Sequence, residues 1–304
     1  MLPPKAELTI AEDASGQREL LSPSTPVIVK LDIRGVIGLE DLTTPVFEAL
    51  LLDSREGLLG SQRVKGIFLH IDTPGGTVTD SDGIYRALLA YKAKYNVPIY
   101  GFIDGLCASG GMYIACACDK IFATSSSIVG SVGVLMGPNF NVADTMERYG
   151  VKSMTITEGK DKDMLNPFRP WVPGEDVSVR NCIRFSYEQF VHIVTTARPM
   201  LDKQKLVDEY GAQIYPAPQS AVLGYIDQGE SSYVEALKDL VVQAGIGEEE
   251  PYQVICLKAP HNFFEQLIKG KGTLLEGKMI HRVEMGPISE KLKGKLLYLY
   301  PLSL

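Results

Sequence analysis

The residues best suited to covalent chemistry lie in Cys107-Ala108-Ser109-Gly110-Gly111-Met112-Tyr113. They follow the apolar run Pro98 to Ile103 and open a helical stretch, Tyr113 to Cys118. A serine at a strand-to-helix turn, followed by two residues without side chains, can present its hydroxyl beside backbone N–H groups that no helix bond consumes. Those groups carry the positive end of a helix dipole and would stabilise an oxyanion formed by attack of Ser109. Ser and Gly are also ordinary helix starters, so the turn by itself describes a close-packing device equally well. Cys107 is a rival nucleophile in the same turn, but no histidine lies near it in sequence.

A second glycine pair stands in Asp72-Thr73-Pro74-Gly75-Gly76-Thr77-Val78, just beyond the strand pattern Lys65 to Ile71. In open α/β sheets, sites form beyond the carboxyl ends of strands. If the N–H groups of Gly76 and Gly110 converge near the Ser109 hydroxyl, they make an oxyanion hole for acyl transfer. The serine also needs a base. His70 falls inside a strand pattern and reads as a core residue, while His192, His261 and His281 lie in the C-terminal third without distinctive context. A lysine can serve if burial depresses its pKa enough to keep the amine neutral. Lys162, in Lys160-Asp161-Lys162-Asp163, shares its loop with Met164, Leu165 and Phe168, which could cover it; composition alone favours a solvated charge run.

The elements that must position these residues are readable from periodicity. Val27–Ile33, Lys65–Ile71, Pro98–Ile103, Lys120–Ala123 and Ile128–Met136 read as strands, alternating with helical patterns at 41–52, 79–95 and 113–118. This spacing predicts β-α-β units on a largely parallel sheet, hence an α/β fold. A helix at 142–149, a strand at Lys152–Ile156, a charged proline-closed loop at 157–170 and a helix-rich part from 177 to 244 follow. Tyr252–Leu257 reads as a strand and His261–Lys269 as a short helix. Residues 1–25 read as an extension, 26–257 as the main domain and 258–304 as a C-terminal extension. Its apolar end, Leu296 to Leu304, is expected to pack on a neighbouring subunit, because an exposed apolar tail is a liability.

Composition narrows the partners. With 304 residues and a formal charge of −7, the chain has no general attraction for nucleic acid or anionic lipid. Its five scattered cysteines suggest neither a disulfide framework nor a zinc site. No stretch approaches the roughly 18 apolar residues needed to span a bilayer, and the first residues do not open a secretory signal. The expectation is a protein of the compartment in which it is made, cytoplasmic or peripheral to a membrane as written, and membrane-anchored if an N-terminal segment is missing.

Four motifs now stand in order: Asp72-Thr73-Pro74-Gly75-Gly76, Ala108-Ser109-Gly110-Gly111-Met112-Tyr113-Ile114, Ile128-Val129-Gly130-Ser131-Val132-Gly133-Val134, and Gly159-Lys160-Asp161-Lys162-Asp163 with Pro167. Together they resemble the motifs of the signal peptide peptidase A (protease IV) family, over about Val27 to Leu257. The resemblance implies a crotonase-like fold, related to the Clp protease proteolytic subunit, and a serine peptidase with a Ser/Lys dyad. It implies Ser109 as nucleophile and Lys162 as general base, with Lys160 as the fallback. Ser131 would hydrogen-bond the lysine amine, and Gly76 and Gly110 would form the oxyanion hole. Gly75, Thr77 and Gly133 would contact an extended peptide docked by strand addition. It further implies small-peptide substrates such as cleaved signal peptides, a homo-oligomer, and neither metal nor organic cofactor.

Three departures accompany the likeness. The family's usual Asn-Ser-Pro-Gly-Gly is here Asp72-Thr73-Pro74-Gly75-Gly76, which adds an acid expected to tune substrate preference. The family's N-terminal membrane anchor has no counterpart in this sequence, and its Tyr-Thr-Gly is replaced by Tyr215-Pro216-Ala217. The rival readings are a crotonase-type acyl-CoA enzyme, which needs neither Ser109 nor Lys162, and a non-catalytic peptide-binding scaffold.

Overall fold

Parallel pairing requires a crossover of a dozen or more residues, and the β-branched runs of this chain are spaced to supply it. The computed structural model describes residues 6–57, 59–247, 249–260 and 295–299. Its elements are β1 (Glu7–Ala11), β2 (Val27–Arg34), α1 (Thr44–Asp53), α2 (Gly60–Arg63), β3 (Val64–Thr73), β4 (Gly75–Thr77), α3 (Val78–Tyr95), β5 (Ile99–Ala108), α4 (Gly110–Ala115), β6 (Lys120–Ala123) and β7 (Ile128–Gly130). The second half contains α5 (Ala143–Arg148), α6 (Val177–Ala197), α7 (Lys203–Lys205) with a π-helical turn at Leu206–Tyr210, β8 (Ile214–Pro216), α8 (Ala217–Leu223), α9 (Tyr233–Gln243), β9 (Gln253–Lys258) and β10 (Leu297–Leu299).

The main sheet runs β1-β9-β2-β3-β5-β7-β8, with β6 also on β5. β9, β2, β3 and β5 are mutually parallel, whereas β1 and β8 close the two edges antiparallel. Alternate residues divide between two cores. Val29, Leu31, Ile33, Ile67, Leu69 and Ile71 face Ile84, Leu88, Met112 and Phe190 of α3, α4 and α6. Ile28, Phe68, Tyr100 and Phe102 face Ala236, Leu237 and Leu240 of α9. Burial on both faces explains the continuous apolar runs at 27–29, 67–69 and 99–103, whereas Lys30, Asp32 and Arg34 alternate with buried residues towards the end of β2.

Three expectations change. Residues 1–25 are not a mere extension, since β1 pairs with β9 from Glu7↔Lys258 to Ala11↔Val254. That pairing closes the sheet edge beside β9, which is otherwise unpaired on that side. Lys152–Ile156 forms no strand: it has no regular structure and no ladder partner among the described residues, and Met154 and Ile156 are 85% and 86% exposed. Leu297–Leu299 pairs with this chain's own β4, where packing on a neighbouring subunit was expected. The helix read at His261–Lys269, His261 and His281 themselves, and 300–304 lie outside the described residues. Among those described, no helix is long and apolar enough to cross a membrane.

Candidate active site

Ser109 stands where β5 hands over to α4, with φ 55° and ψ −113°. A non-glycine residue in such a conformation costs on the order of 1–3 kcal/mol and persists only where its surroundings over-determine it. Here they do. The Ser109 N–H donates to Gly130 O at 2.9 Å, and its carbonyl accepts from Tyr113 N at 3.0 Å. Because β7 pairs with β5, Ala108 opposite Gly130, the next residues of both strands are delivered to one place. Ser131 follows with φ 58°, its N–H donating to Gln213 O at 2.7 Å, and the Ser109 hydroxyl points to Gly133 O at 3.5 Å. Ser109 and Ser131 are both buried.

The first glycine pair is brought to the same spot. Thr73 Oγ1 donates to Gly35 O at 2.6 Å and accepts from Gly75 N at 3.1 Å. Ile37 N donates to Gly75 O and Thr77 N to Ile37 O, so β4 runs beside the residues after β2. The contact is so close that a Cβ on Gly76 would stand 1.9 Å from Ile37 O. Gly75 has φ +95°, and a Cβ there would come within 2.7 Å of Gly110 N and 3.0 Å of Ala108 O. Only glycine permits this approach. Gly111 in turn lets α4 lie against Thr73, whose Cγ2 would be 2.5 Å from an added Cβ.

Thr77 caps α3 by accepting from Asp80 N at 3.2 Å, and its hydroxyl donates to Asp80 Oδ2 at 2.6 Å. Asp80 Oδ1 accepts from Thr44 N at 2.9 Å, joining the start of α1 to the start of α3. Tyr113 is anchored through its hydroxyl to Asp82 Oδ1 at 2.7 Å and by Gln189 Nε2 at 3.0 Å. Sequence reading singled out neither Asp80, Asp82, Gln189 nor Leu135, the last of which bridges to Leu297 of β10. Thr77 followed by Asp80 was the one legible signal among them, a capping pattern at a helix start.

The structure gathers Ser109, Ser131, Gly75, Gly76, Thr77, Gly110 and Gly133, and it leaves the lysines apart. Lys160 and Lys162 are exposed, and neither makes a hydrogen bond or ion pair with Ser109 among the described residues. Their loop is pinned through Asp163, which pairs with Arg169 at 2.6 Å; Arg169 in turn pairs with Glu175 at 2.7 Å. Hydrogen bonds from Arg169 and Asn166 hold the Asp163 carboxyl below the usual aspartate range.

The rival side chains are accounted for. Cys107 is fully buried, and burial pushes its thiol well above the ordinary range, so it is no thiolate nucleophile. His70 lies among Phe102 and Tyr233 on the α9 face of the sheet, across from α4, with Nδ1 3.6 Å from Asp32 and Nε2 3.8 Å from Asp104. His192 is exposed on α6. Asp72 Oδ1 accepts from Leu106 N at 3.0 Å and braces the bend of β5.

A sequence model of peptidase family S49 matches residues 77–246, more than half of the chain. The chain belongs to peptidase family S49. Among its relatives, a protein of Enterococcus faecium named as a candidate signal peptide peptidase SppA is 30% identical, covering 73% of this chain and 62% of that protein. The chloroplastic serine protease SPPA of Arabidopsis thaliana is 26% identical over 78% of this chain and 35% of its own length. This S49 chain thus spans about three fifths or less of the curated relatives it matches. Among solved structures, a mutant of the 1510-N membrane-bound stomatin-specific protease aligns with 78% of this chain and 99% of its own, at 14% identity and a TM-score of 0.47.

Proposed function

We propose that this S49 chain is a serine peptidase that cleaves small peptides, cleaved signal peptides among them, through an acyl-enzyme on Ser109. One observation carries the reading: a buried serine held at positive φ between the Gly75-Gly76 strand and the Gly130–Gly133 segment. The Ser109 oxygen attacks the substrate carbonyl carbon while its proton passes to the Lys162 amine. The carbonyl oxygen becomes an oxyanion facing the N–H groups of Gly76 and Gly110, whose fixed dipoles need no reorganisation. Collapse breaks the C–N bond, and the lysine returns the proton to the leaving amine. Water then releases the acyl group by the same route in reverse. Ser131 orients the amine, and the relative's name supports the signal-peptide class.

Lys162 is exposed in this protomer, so the reading requires its loop to be carried to a serine by assembly or by closure on substrate. The exposed apolar side chains around that loop, Met154, Ile156, Phe168 and Trp171, support assembly into a homo-oligomer. The test is a serine-directed phosphonate with peptide mapping. We expect the adduct on Ser109 of the native chain, none on Ser109→Ala, and much slower labelling of Lys162→Ala. Peptide hydrolysis should fall at least about a thousandfold in either variant. Hydrolysis that survives Ser109→Ala would end the proposal.

A further inference from the structure

Between α5 and α6, residues 149–176 form no helix or strand, so side chains must give that stretch its shape. One guanidinium does most of this. Arg169 donates Nε to Asp163 Oδ2 at 2.6 Å, Nη2 to Glu175 Oε2 at 2.7 Å and also to the Asp163 carbonyl, and Nη1 to Pro170 O at 3.0 Å. Asp163 Oδ1 accepts from Asn166 Nδ2 at 2.6 Å. An isolated exposed ion pair adds little, but a planar fork with several acceptors fixes direction as well as distance.

The residue gripped in this way is the one after Lys162. Ahead of it the chain turns tightly, with Lys162 N donating to Gly159 O at 3.3 Å, Met164 N to Asp161 O at 3.0 Å, and positive φ at Gly159 and Asp161. Beyond it, Val142 N donates to Pro167 O and Asn141 Nδ2 to Arg169 O, both at 2.8 Å, which ties the loop to the segment leading into α5. Glu175, just ahead of α6, is the far anchor. Its side chain is 9% exposed, and its Oε1 is buried with no partner among the described residues. A buried carboxylate with bonding capacity unused is costly, and the pair with Arg169 is the compensation it has. Lys162, Arg169 and Glu175 line one polar recess.

We infer that Arg169, anchored on Glu175, is the positioning residue of the proposed base. It holds Asp163 by side chain and main chain, so the backbone from which Lys162 springs has a fixed course. The loop then travels as a preformed arm when it is carried to a serine. An amine on a slack loop would meet the hydroxyl in few of its conformations, and a misplacement of about 1 Å can cost about a hundredfold in rate. Arg169 touches no reacting atom; it acts through Lys162. The inference rests on the reading of Ser109 and Lys162 as nucleophile and base.

The experiment follows the rate at which a serine-directed phosphonate labels Ser109 in the full chain, in Arg169→Gln, in Lys162→Ala and in the double variant, with the mass of each measured by light scattering. Arg169→Gln should slow labelling about ten- to hundredfold in the native background and less than about twofold in Lys162→Ala, where no amine is left to aim. In peptide hydrolysis the loss should fall on kcat, with KM within about twofold. Glu175→Gln keeps the shape and removes the charge; it should slow labelling about two- to tenfold, and it serves if Arg169→Gln does not fold. Native-rate labelling of Arg169→Gln, or of Glu175→Gln where the former does not fold, overturns the inference. So does an equal fall in the Lys162→Ala background, the mark of general damage to the loop or to assembly. Native-rate labelling of Lys162→Ala itself would instead end the reading of Lys162 as base, and the inference with it.

Discussion

Ser109 is the residue on which the chain spends backbone strain. Its positive φ turns the hydroxyl away from α4 and towards Gly133 O, and neighbours on β5 and β7 hold it there. Cys107, two residues before it on β5, is fully buried. Cys107, Cys116, Cys118 and Cys256 are buried with thiols raised by burial, whereas Cys182 is exposed on α6. Alkylation of the native chain near pH 8, followed by peptide mapping, should therefore modify Cys182 alone. Early modification of Cys107 would revive it as a nucleophile.

At the scale of elements, α1, β4 and α3 are tied together by one carboxylate. Asp80 accepts from Thr44 N and from the Thr77 hydroxyl, at the end of the strand that carries Gly75 and Gly76. Asp80→Ala removes a cap and leaves a part-buried amide without its partner, and should destabilise the chain by about 1–3 kcal/mol in urea denaturation. An unchanged midpoint would show the tie to be idle. β2 and β3 meet in a second polar pair. Burial alone would raise the Asp32 carboxyl, but His70 at 3.6 Å and the charges of Lys30 and Arg34 outweigh it and lower its pKa below the ordinary 3.8. A depressed native pKa stabilises the fold above the unfolded value, and that stability is lost as pH falls through the native one. Urea midpoints should drop below about pH 4, less steeply in Asp32→Asn; parallel curves for the two chains would refute the link.

For the whole molecule, the proposed nucleophile and the proposed base belong to different regions. Ser109 is buried against the sheet, while Lys162 rides an exposed loop among exposed apolar residues that a lone protomer has no reason to display. If assembly completes the site, Ser109→Ala and Lys162→Ala chains, each inactive, should recover a measurable fraction of peptide hydrolysis when mixed and allowed to exchange. The recovered activity should elute with a multimer in size-exclusion chromatography with light scattering. A monomeric, active native chain whose inactive variants never complement would place the closure within one protomer.

The sequence by itself determined what local chemistry dictates. Strand and helix order, the α/β class, the strand-to-helix turn at Ser109 and the glycine pairs at 75–76 and 110–111 follow from β-branched runs, apolar periodicity and the conformations open to glycine. Tertiary structure alone decided the rest, because it depends on pairings between distant residues. β1, five residues of which three are exposed and none is buried, is a strand because β9 offers it an edge, and 152–156 is not one because it has no strand partner among the described residues. Leu297–Leu299 reads as an apolar tail until the groove between β4 and Leu135 gives its backbone groups somewhere to bond. A motif specifies which atoms can react; which strand lies against them is set by free backbone edges and burial, and these exist only once the chain has folded.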